Sequence, residues 1–127
     1  MIKKRVNIEI AIGELFDKVS ILEIKISRIK DNLKQREIKN ELNHLLPIFN
    51  ELENKATEIY KNLKLINEQL WDIEDKIRIK EKEKAFDNEF ISLARSVYNT
   101  NDKRFELKNE INQLFGSNLK EVKSYEK

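Results

Sequence analysis

The sequence predicts an all-α fold, and three observations carry that prediction. Residues with strong helix propensity dominate, and only Gly13, Gly116 and Pro47 punctuate the 127 residues, so strands and hairpins have almost no turn chemistry to use. Apolar residues recur in alternating steps of four and three over long stretches, the signature of helices packed along one face. There is no cysteine, which removes disulfides and zinc–thiolate sites as ways of holding another kind of small fold together. A chain of this length fits one domain that folds without such staples. Residues 1–127 are expected to form it, with 1–12 as an extended arm and 118–127 as a tail.

In the arm, Val6, Ile8 and Ile10 alternate with Asn7 and Glu9, a short strand-like signal that a lone segment satisfies by pairing with a partner or lying over the helices. From Gly13 onward, Leu15, Val19, Leu22, Ile26, Ile29 and Leu33 mark the seam of a first helix over residues 13–32. Phe16, Ile21 and Ile24 lie outside that seam. The helix is therefore apolar on several sides, as a buried central helix is.

The phase slips by one residue between Leu33 and Ile38, which places a turn around Asn32 to Arg36. A second seam then runs without interruption from Ile38 through Leu42, Leu45, Phe49, Leu52, Ala56, Ile59, Leu63, Ile66, Leu70 and Ile73 to Ile77. As one rod it would be about 60 Å long at the 1.5 Å rise of an α-helix. Pro47 lacks an N–H and clashes with the preceding turn, so it predicts a kink or break near His44 to Leu46, and the preserved phase favours a kink.

After the charged run KIRIKEKEK at 76–84, Phe86, Phe90, Leu93 and Val97 open another seam. NTND at 99–102 offers capping side chains that can end this helix and start the next. The last helix carries Leu107, Ile111, Leu114 and Phe115 and stops at Gly116-Ser117. The expected architecture is an antiparallel helical bundle with one long kinked central helix, the first helix folded back on it and the last two packed over its later half. Apolar surface left over on so long a helix leaves room for a homodimer.

Lysine and arginine number 25 against 23 acidic residues, a net charge of +2, and both signs mix along every segment. That balance speaks against a nucleic-acid partner, which requires a one-signed face. No segment is apolar enough to span a membrane, and MIKKRVNIEIAIG lacks the apolar run of a signal peptide. The expected setting is the cytoplasm, consistent with the absence of cysteine.

Candidate site residues fall on three stretches. Glu14, Lys18 and Lys25 share a stripe beside the first seam, with Glu14 and Lys18 at the i,i+4 spacing that lets them meet. They form either a salt-bridged border or one wall of a polar cleft. Asn67, Trp71, Glu74 and Arg78, spaced i, i+4, i+7 and i+11, line one face of the long helix, with Tyr60 in line earlier and Asp75 beside them. Tryptophan gives a flat apolar wall with one donor, and arginine and carboxylates give directed charge, a mixture typical of ligand pockets. The plainer alternative has Trp71 covering a neighbouring helix and Glu74 with Arg78 as a surface pair.

Farther on, Arg95 and Tyr98 lie one turn apart and precede Asn101 and Asp102. An arginine set among Ala94, Ser96 and Val97 reaches for a carboxylate or an anionic ligand. Lys108 and Asn112 repeat the i,i+4 spacing on the last helix. A phosphate loop or dinucleotide fingerprint needs glycines that are missing, and the single histidine, His44, reads as a helix-end or surface residue. Glu14, Asp17, Glu74 and Asp75 could hold Mg²⁺ through oxygen ligands, although such carboxylate pairs arise in any strongly charged helical chain.

The stretches GELFDKVSILEIK, LWDIEDKIR, ARSVYNTND and KNEINQLFGSNLKEVKSY together resemble an uncharacterised bacterial and phage family, a domain of unknown function, over most of the chain. The pattern resembles this sequence at Gly13, Glu14, Asp17, Lys18, Ile21, Leu22, Lys25, Leu70, Trp71, Glu74, Asp75, Arg78, Arg95, Tyr98, Asn101, Asp102 and Lys123 to Tyr125. It departs at Ala11, where the family tends to have a hydroxyl residue able to cap the first helix, so capping passes to another group. The resemblance supports the choice of positions and implies no reaction.

The expected function is a small binding or interaction module. Glu14, Lys18, Lys25, Asn67, Trp71, Glu74, Arg78, Arg95, Tyr98, Asn101 and Asp102 would recognise an anionic small molecule or a protein partner, with no cofactor. The alternative is a Mg²⁺-dependent hydrolase of a nucleotide or other phosphorylated substrate, with Glu14, Asp17, Glu74 and Asp75 around the metal. That alternative is by analogy with all-α pyrophosphohydrolases, whose twin-carboxylate helix motifs this chain lacks. The sequence does not decide whether the protein is an enzyme.

Overall fold

Three of the four helices begin or end on local capping chemistry. In the computed structural model, which describes residues 2–117 together with Leu119 and Val122, α1 spans Ile12–Arg28, α2 Asn32–Leu52, α3 Thr57–Glu83 and α4 Asn88–Phe115, with a 3-10 turn at Glu53–Lys55. No strand occurs among the described residues, so the fold is all-helical as the composition requires. Asp31 caps α2 by accepting from the Lys34 N–H at 2.9 Å, and Asp87 caps α4 by accepting from the Phe90 N–H at 2.9 Å. At the other ends, α3 closes on Lys84 with φ 54° and α4 on Gly116 with φ 61°, the left-handed turn that satisfies terminal carbonyls.

The first helix is the central one. It packs against α2, α3 and α4, and its Leu15, Phe16, Val19 and Leu22 meet Leu42 and Phe49 of α2, Tyr60 and Leu63 of α3 and Ile111 of α4 in one core. That is the consequence of apolar residues on several sides of α1. Removing these side chains from water supplies the main driving force for assembly, about 1.5–3 kcal/mol for each large one fully buried.

Its end lies earlier than the seam suggests. Ile29 turns extended at φ −92° and ψ 119°, and Gln35 donates from Nε2 to the Ile26 carbonyl at 2.6 Å and to that of Ile29, satisfying carbonyls the helix leaves open. With Asp31 already capping α2, the turn falls at Ile29–Asp31 instead of Asn32 to Arg36, and Leu33 is 68% exposed.

The long seam also divides elsewhere than at Pro47. Helix α2 continues through the proline to Leu52, and the break comes at the 3-10 turn and Ala56, whose φ of −138° is not helical. The aromatic core explains the position. Phe49 and Tyr60, eleven residues apart, would be separated by about 16 Å along a straight helix, yet their ring centroids lie 5.0 Å apart. Both rings pack on Phe16, at 4.9 Å and 5.9 Å, so the chain must bend between them.

NTND does not end a helix, since α4 is continuous from Asn88 to Phe115. Thr100 is buried and Asn101 and Asp102 are half-buried, and packing against the rest of the protein overrides their capping preference. The connection between α3 and α4 is the short turn after Lys84, where the charged run gives way to Phe86. Residues 2–11 have neither helix nor strand, with Val6 76% and Ile8 75% exposed. The tail expected at 118–127 lies outside the described residues apart from Leu119 and Val122. No described helix is long and apolar enough to cross a membrane.

Candidate functional site

Asp17 is 1% exposed, one residue beyond Phe16 in the core and turned toward α3 and α4. Arg104 of α4 grips it with a two-point fork, Nε to Oδ1 at 2.9 Å and Nη2 to Oδ2 at 2.5 Å, the geometry in which a guanidinium binds a carboxylate most strongly. Asn67 of α3 donates from Nδ2 to the same Oδ1 at 2.9 Å and to Ser20 Oγ at 2.8 Å. The Ser20 hydroxyl donates to the Asp17 carbonyl at 2.7 Å. Among the described residues no buried side-chain nitrogen or oxygen lacks a partner. Such a network adds little net stability over an apolar core, but it accepts only one arrangement of its parts. Here it fixes α1, α3 and α4 relative to one another.

Next to this clamp, the three helices leave an open groove of about 330 Å³. Ile21 and Ile24 of α1 with Leu70 and Trp71 of α3 form apolar walls, and Asn67, Glu74, Asn101 and Arg104 supply polar edges. Arg28, from the last turn of α1, lies over the Trp71 ring at 5.7 Å and is held there by Asp72 at 2.5 Å. The aromatic wall is therefore braced from outside by a cation. Two turns before Asn67 on α3, the Tyr60 hydroxyl donates to Glu23. Burial first, and then that bond, pushes the phenol above its ordinary range.

Of the residues singled out in the sequence, Asn67, Trp71, Glu74 and Asn101 come together in this groove. Asp102 is half-buried beside Asn101. Glu14 pairs with the buried Lys108 at 2.9 Å, while Lys18 bonds Glu41 of α2 at 2.8 Å with both side chains about half exposed, so these two meet other helices and not each other. Lys25 is half-buried in the last turn of α1. Asp75 and Arg78 are exposed on α3 past the groove. Arg95 lines a separate depression with Asn88, Ile91 and Asn99, and Tyr98 is 54% exposed.

The carboxylates of the metal reading are likewise spread out: Asp17 in the clamp, Glu14 on Lys108, and Glu74 and Asp75 on the exposed side of α3. Among the described residues no group of three or more His, Cys, Asp or Glu is placed to hold a metal ion. Sequence reasoning missed Arg104, Ser20 and Arg28. Arg104 follows Asn101 by one turn, a signal visible only once α4 is read straight through NTND.

At the start of α1, Gly13 lies so close to α4 that an added Cβ would stand 2.3 Å from the Lys108 carbonyl oxygen. A family described as a family of unknown function, DUF6165, matches residues 6–127. The chain belongs to the DUF6165 family. Comparisons with curated proteins and with solved structures give no match. In this DUF6165 chain Ala11 makes no side-chain cap, and instead Asn112 Oδ1 accepts from the Gly13 N–H at 2.7 Å and Ser117 Oγ from the Ile12 N–H at 3.2 Å. The first helix is thus capped by the last, which ties its entry point to α4.

Proposed function

We propose that this protein is a binding module whose ligand enters the groove between α1, α3 and α4. The observation that carries the reading is the convergence of Ile21, Ile24, Leu70 and Trp71 with Asn101 and Glu74 around one open space. Apolar walls with a few directed polar groups are what small-ligand and side-chain pockets are made of. The buried clamp beneath it supports the same reading, because it holds the walls in place before any ligand arrives and lowers the ordering cost of binding.

The chemistry of the groove favours an aromatic or branched apolar group carrying a hydrogen-bond donor or a cation. Glu74 and the Asn101 carbonyl accept from it, and Trp71 stacks on it. Recognition of an anion has to compete with internal carboxylates, since Arg104 grips Asp17, Arg28 grips Asp72, Lys108 grips Glu14 and Lys18 grips Glu41. We read the helices as an antiparallel bundle and the setting as the bacterial or phage-infected cytoplasm. Along α1 and α4 the ion pairs Glu14–Lys108 and Asp17–Arg104 run in opposite order, which supports the first part.

Trp71 is the single tryptophan, so its emission reports on the groove alone. Titration with benzylamine and with benzoate at neutral pH compares a cationic with an anionic aromatic probe. Saturable quenching by benzylamine that is weakened in Glu74→Gln is the expected result. Saturable quenching by benzoate alone would move the reading to an anionic ligand, and no saturable response to either would overturn it.

A further inference from the structure

The chain leaves α4 turned back toward α1. Gly116 adopts the left-handed conformation at φ 61°, and the Ser117 N–H donates to the Asn112 carbonyl at 2.8 Å. Ser117 Oγ accepts from the Ile12 N–H at 3.2 Å and donates to the Leu119 carbonyl at 2.8 Å. The segment that follows therefore starts beside the first turn of α1. Leu119 and Val122 are 43% and 82% exposed, so neither belongs to the core. From this point the seam between α1 and α4 leads past Glu14 with Lys108 and Asp17 with Arg104 to the candidate groove.

Arg28 reaches from α1 to Asp72 of α3 at 2.5 Å and bridges the edge between those helices, which leaves Ile21 and Asn101 at the edge between α1 and α4. Glu74 is exposed at the groove and forms no ion pair among the described residues. A free carboxylate beside an aromatic wall suits an aromatic group that carries a donor and has cations next to it. Residues 120–127, KEVKSYEK, hold that combination. Side chains alternate along an extended chain, so Lys123, Tyr125 and Lys127 share one side and Ser124 and Glu126 the other. The length fits as well. Asn101 precedes Ser117 by sixteen positions, about 24 Å at the helical rise, and the eight residues from Ser117 to Tyr125 extend over about 26 Å.

We propose that the C-terminal segment folds back along the seam between α1 and α4 and places Tyr125 in the groove, its ring against Trp71 and its hydroxyl donating to Glu74, flanked by Lys123 and Lys127. This rests on the reading of the groove as a binding site and names one occupant of it, a segment of the same chain. A tethered side chain meets the groove at an effective concentration set by its tether, so a free ligand has to displace it. The apparent affinity for such a ligand is reduced by the fraction of molecules whose groove is open. The segment thereby acts as a built-in competitor for the site.

The chain has no cysteine, so Glu126→Cys in the full chain accepts a single nitroxide on the side of the segment away from Tyr125. In ¹⁵N-labelled protein the nitroxide removes most of the Trp71 indole N–H signal relative to its reduced form and spares the Asn88 amide. Adding Tyr125→Ala restores the signal. Nitroxide-bearing protein without ¹⁵N, mixed with ¹⁵N protein without nitroxide, leaves the signal intact, because the contact lies within one chain. Circular dichroism checks that the variants stay folded. A Trp71 signal that the nitroxide never weakens, a loss that Tyr125→Ala does not reverse, or a loss that also appears in the mixture, as when the segment seats on a second copy, would overturn the proposal. Benzylamine titration separates this proposal from the groove reading itself. Tyr125→Ala should bind benzylamine about threefold or more tightly than wild type. Equal saturable binding by both would leave the groove a binding site without this internal occupant, and saturable binding by neither would overturn both.

Discussion

Arg104 and Asp17, 87 positions apart in the chain, meet in a two-point hydrogen bond at the junction of α1, α3 and α4. The carboxylate is 2% exposed and the guanidinium 29%, so one partner is committed to the interior while the other still touches the groove. The clamp thereby links the packing of three helices to the shape of the candidate site.

Replacing Asp17 by alanine removes the acceptor that Arg104 and Asn67 share and exposes their donors to an apolar surrounding. Breaking one side of a buried charge pair costs about 3–5 kcal/mol, and the partial exposure of Arg104 places the loss toward the lower end. Urea unfolding should show the midpoint falling in proportion. A change within error would mean that the clamp does not organise the core.

Gly13 is held to its small size by the Lys108 carbonyl. Gly13→Ala forces α1 and α4 apart and should cost about 1–3 kcal/mol, the range for overpacking, despite the better helix propensity of alanine. Asn112→Ala removes the cap on the Gly13 N–H and should cost about 1 kcal/mol. Thermal melting of both variants decides; a stabilised Gly13→Ala would contradict the close approach.

Lys84 occupies the left-handed region at φ 54°, which costs a side chain with a Cβ about 1 kcal/mol. Lys84→Gly should raise the melting temperature and leave ligand response untouched. Unchanged or lower stability would place the turn in another conformation.

The pH dependence follows from three groups. The Lys80 ammonium, followed by the Phe90 N–H, holds the Asp87 carboxyl below the usual range, and Asp87, followed by Glu89, holds Lys80 above its own. A depressed carboxylate contributes stability above its unfolded value that is lost as pH falls through its folded value; a raised lysine contributes below its unfolded value and loses it as pH rises through its folded value. The cap of α4 is therefore at full strength near neutrality. Tyr60, raised chiefly by burial and then by Glu23, adds stability that is lost as pH climbs past the ordinary tyrosine range. Asp87→Asn should flatten the acid limb of a stability–pH curve and Tyr60→Phe the alkaline limb, as read by urea midpoints across the range.

Much of this was legible in the sequence, for reasons that depend on distance along the chain. Leu15, Val19 and Leu22 announce their burial because helical spacing is local, and the apolar flanks of α1 announce its central position. The bend after Leu52 was not legible, since it is set by the meeting of Phe16, Phe49 and Tyr60 rings from three segments. NTND looked like a boundary because asparagine and aspartate usually cap, and only the burial of Thr100 shows why they do not here. Asn67, Trp71 and Glu74 could be grouped from one helical stripe. The partner of Asp17 could not, because nothing in its neighbourhood points to residue 104, and the stripe of Glu14 and Lys18 gave no sign that α4 would take one and α2 the other.

The central claim, that the groove between α1, α3 and α4 is a binding site, is tested most directly by nuclear magnetic resonance of ¹⁵N-labelled protein titrated with benzylamine. The Trp71 indole N–H and the Asn101 side-chain amide should shift together and saturate together, while the Asn88 and Asn99 amides of the separate depression stay in place. Shifts confined to Asn88 and Asn99, or none at Trp71 at any concentration of probe, would contradict it.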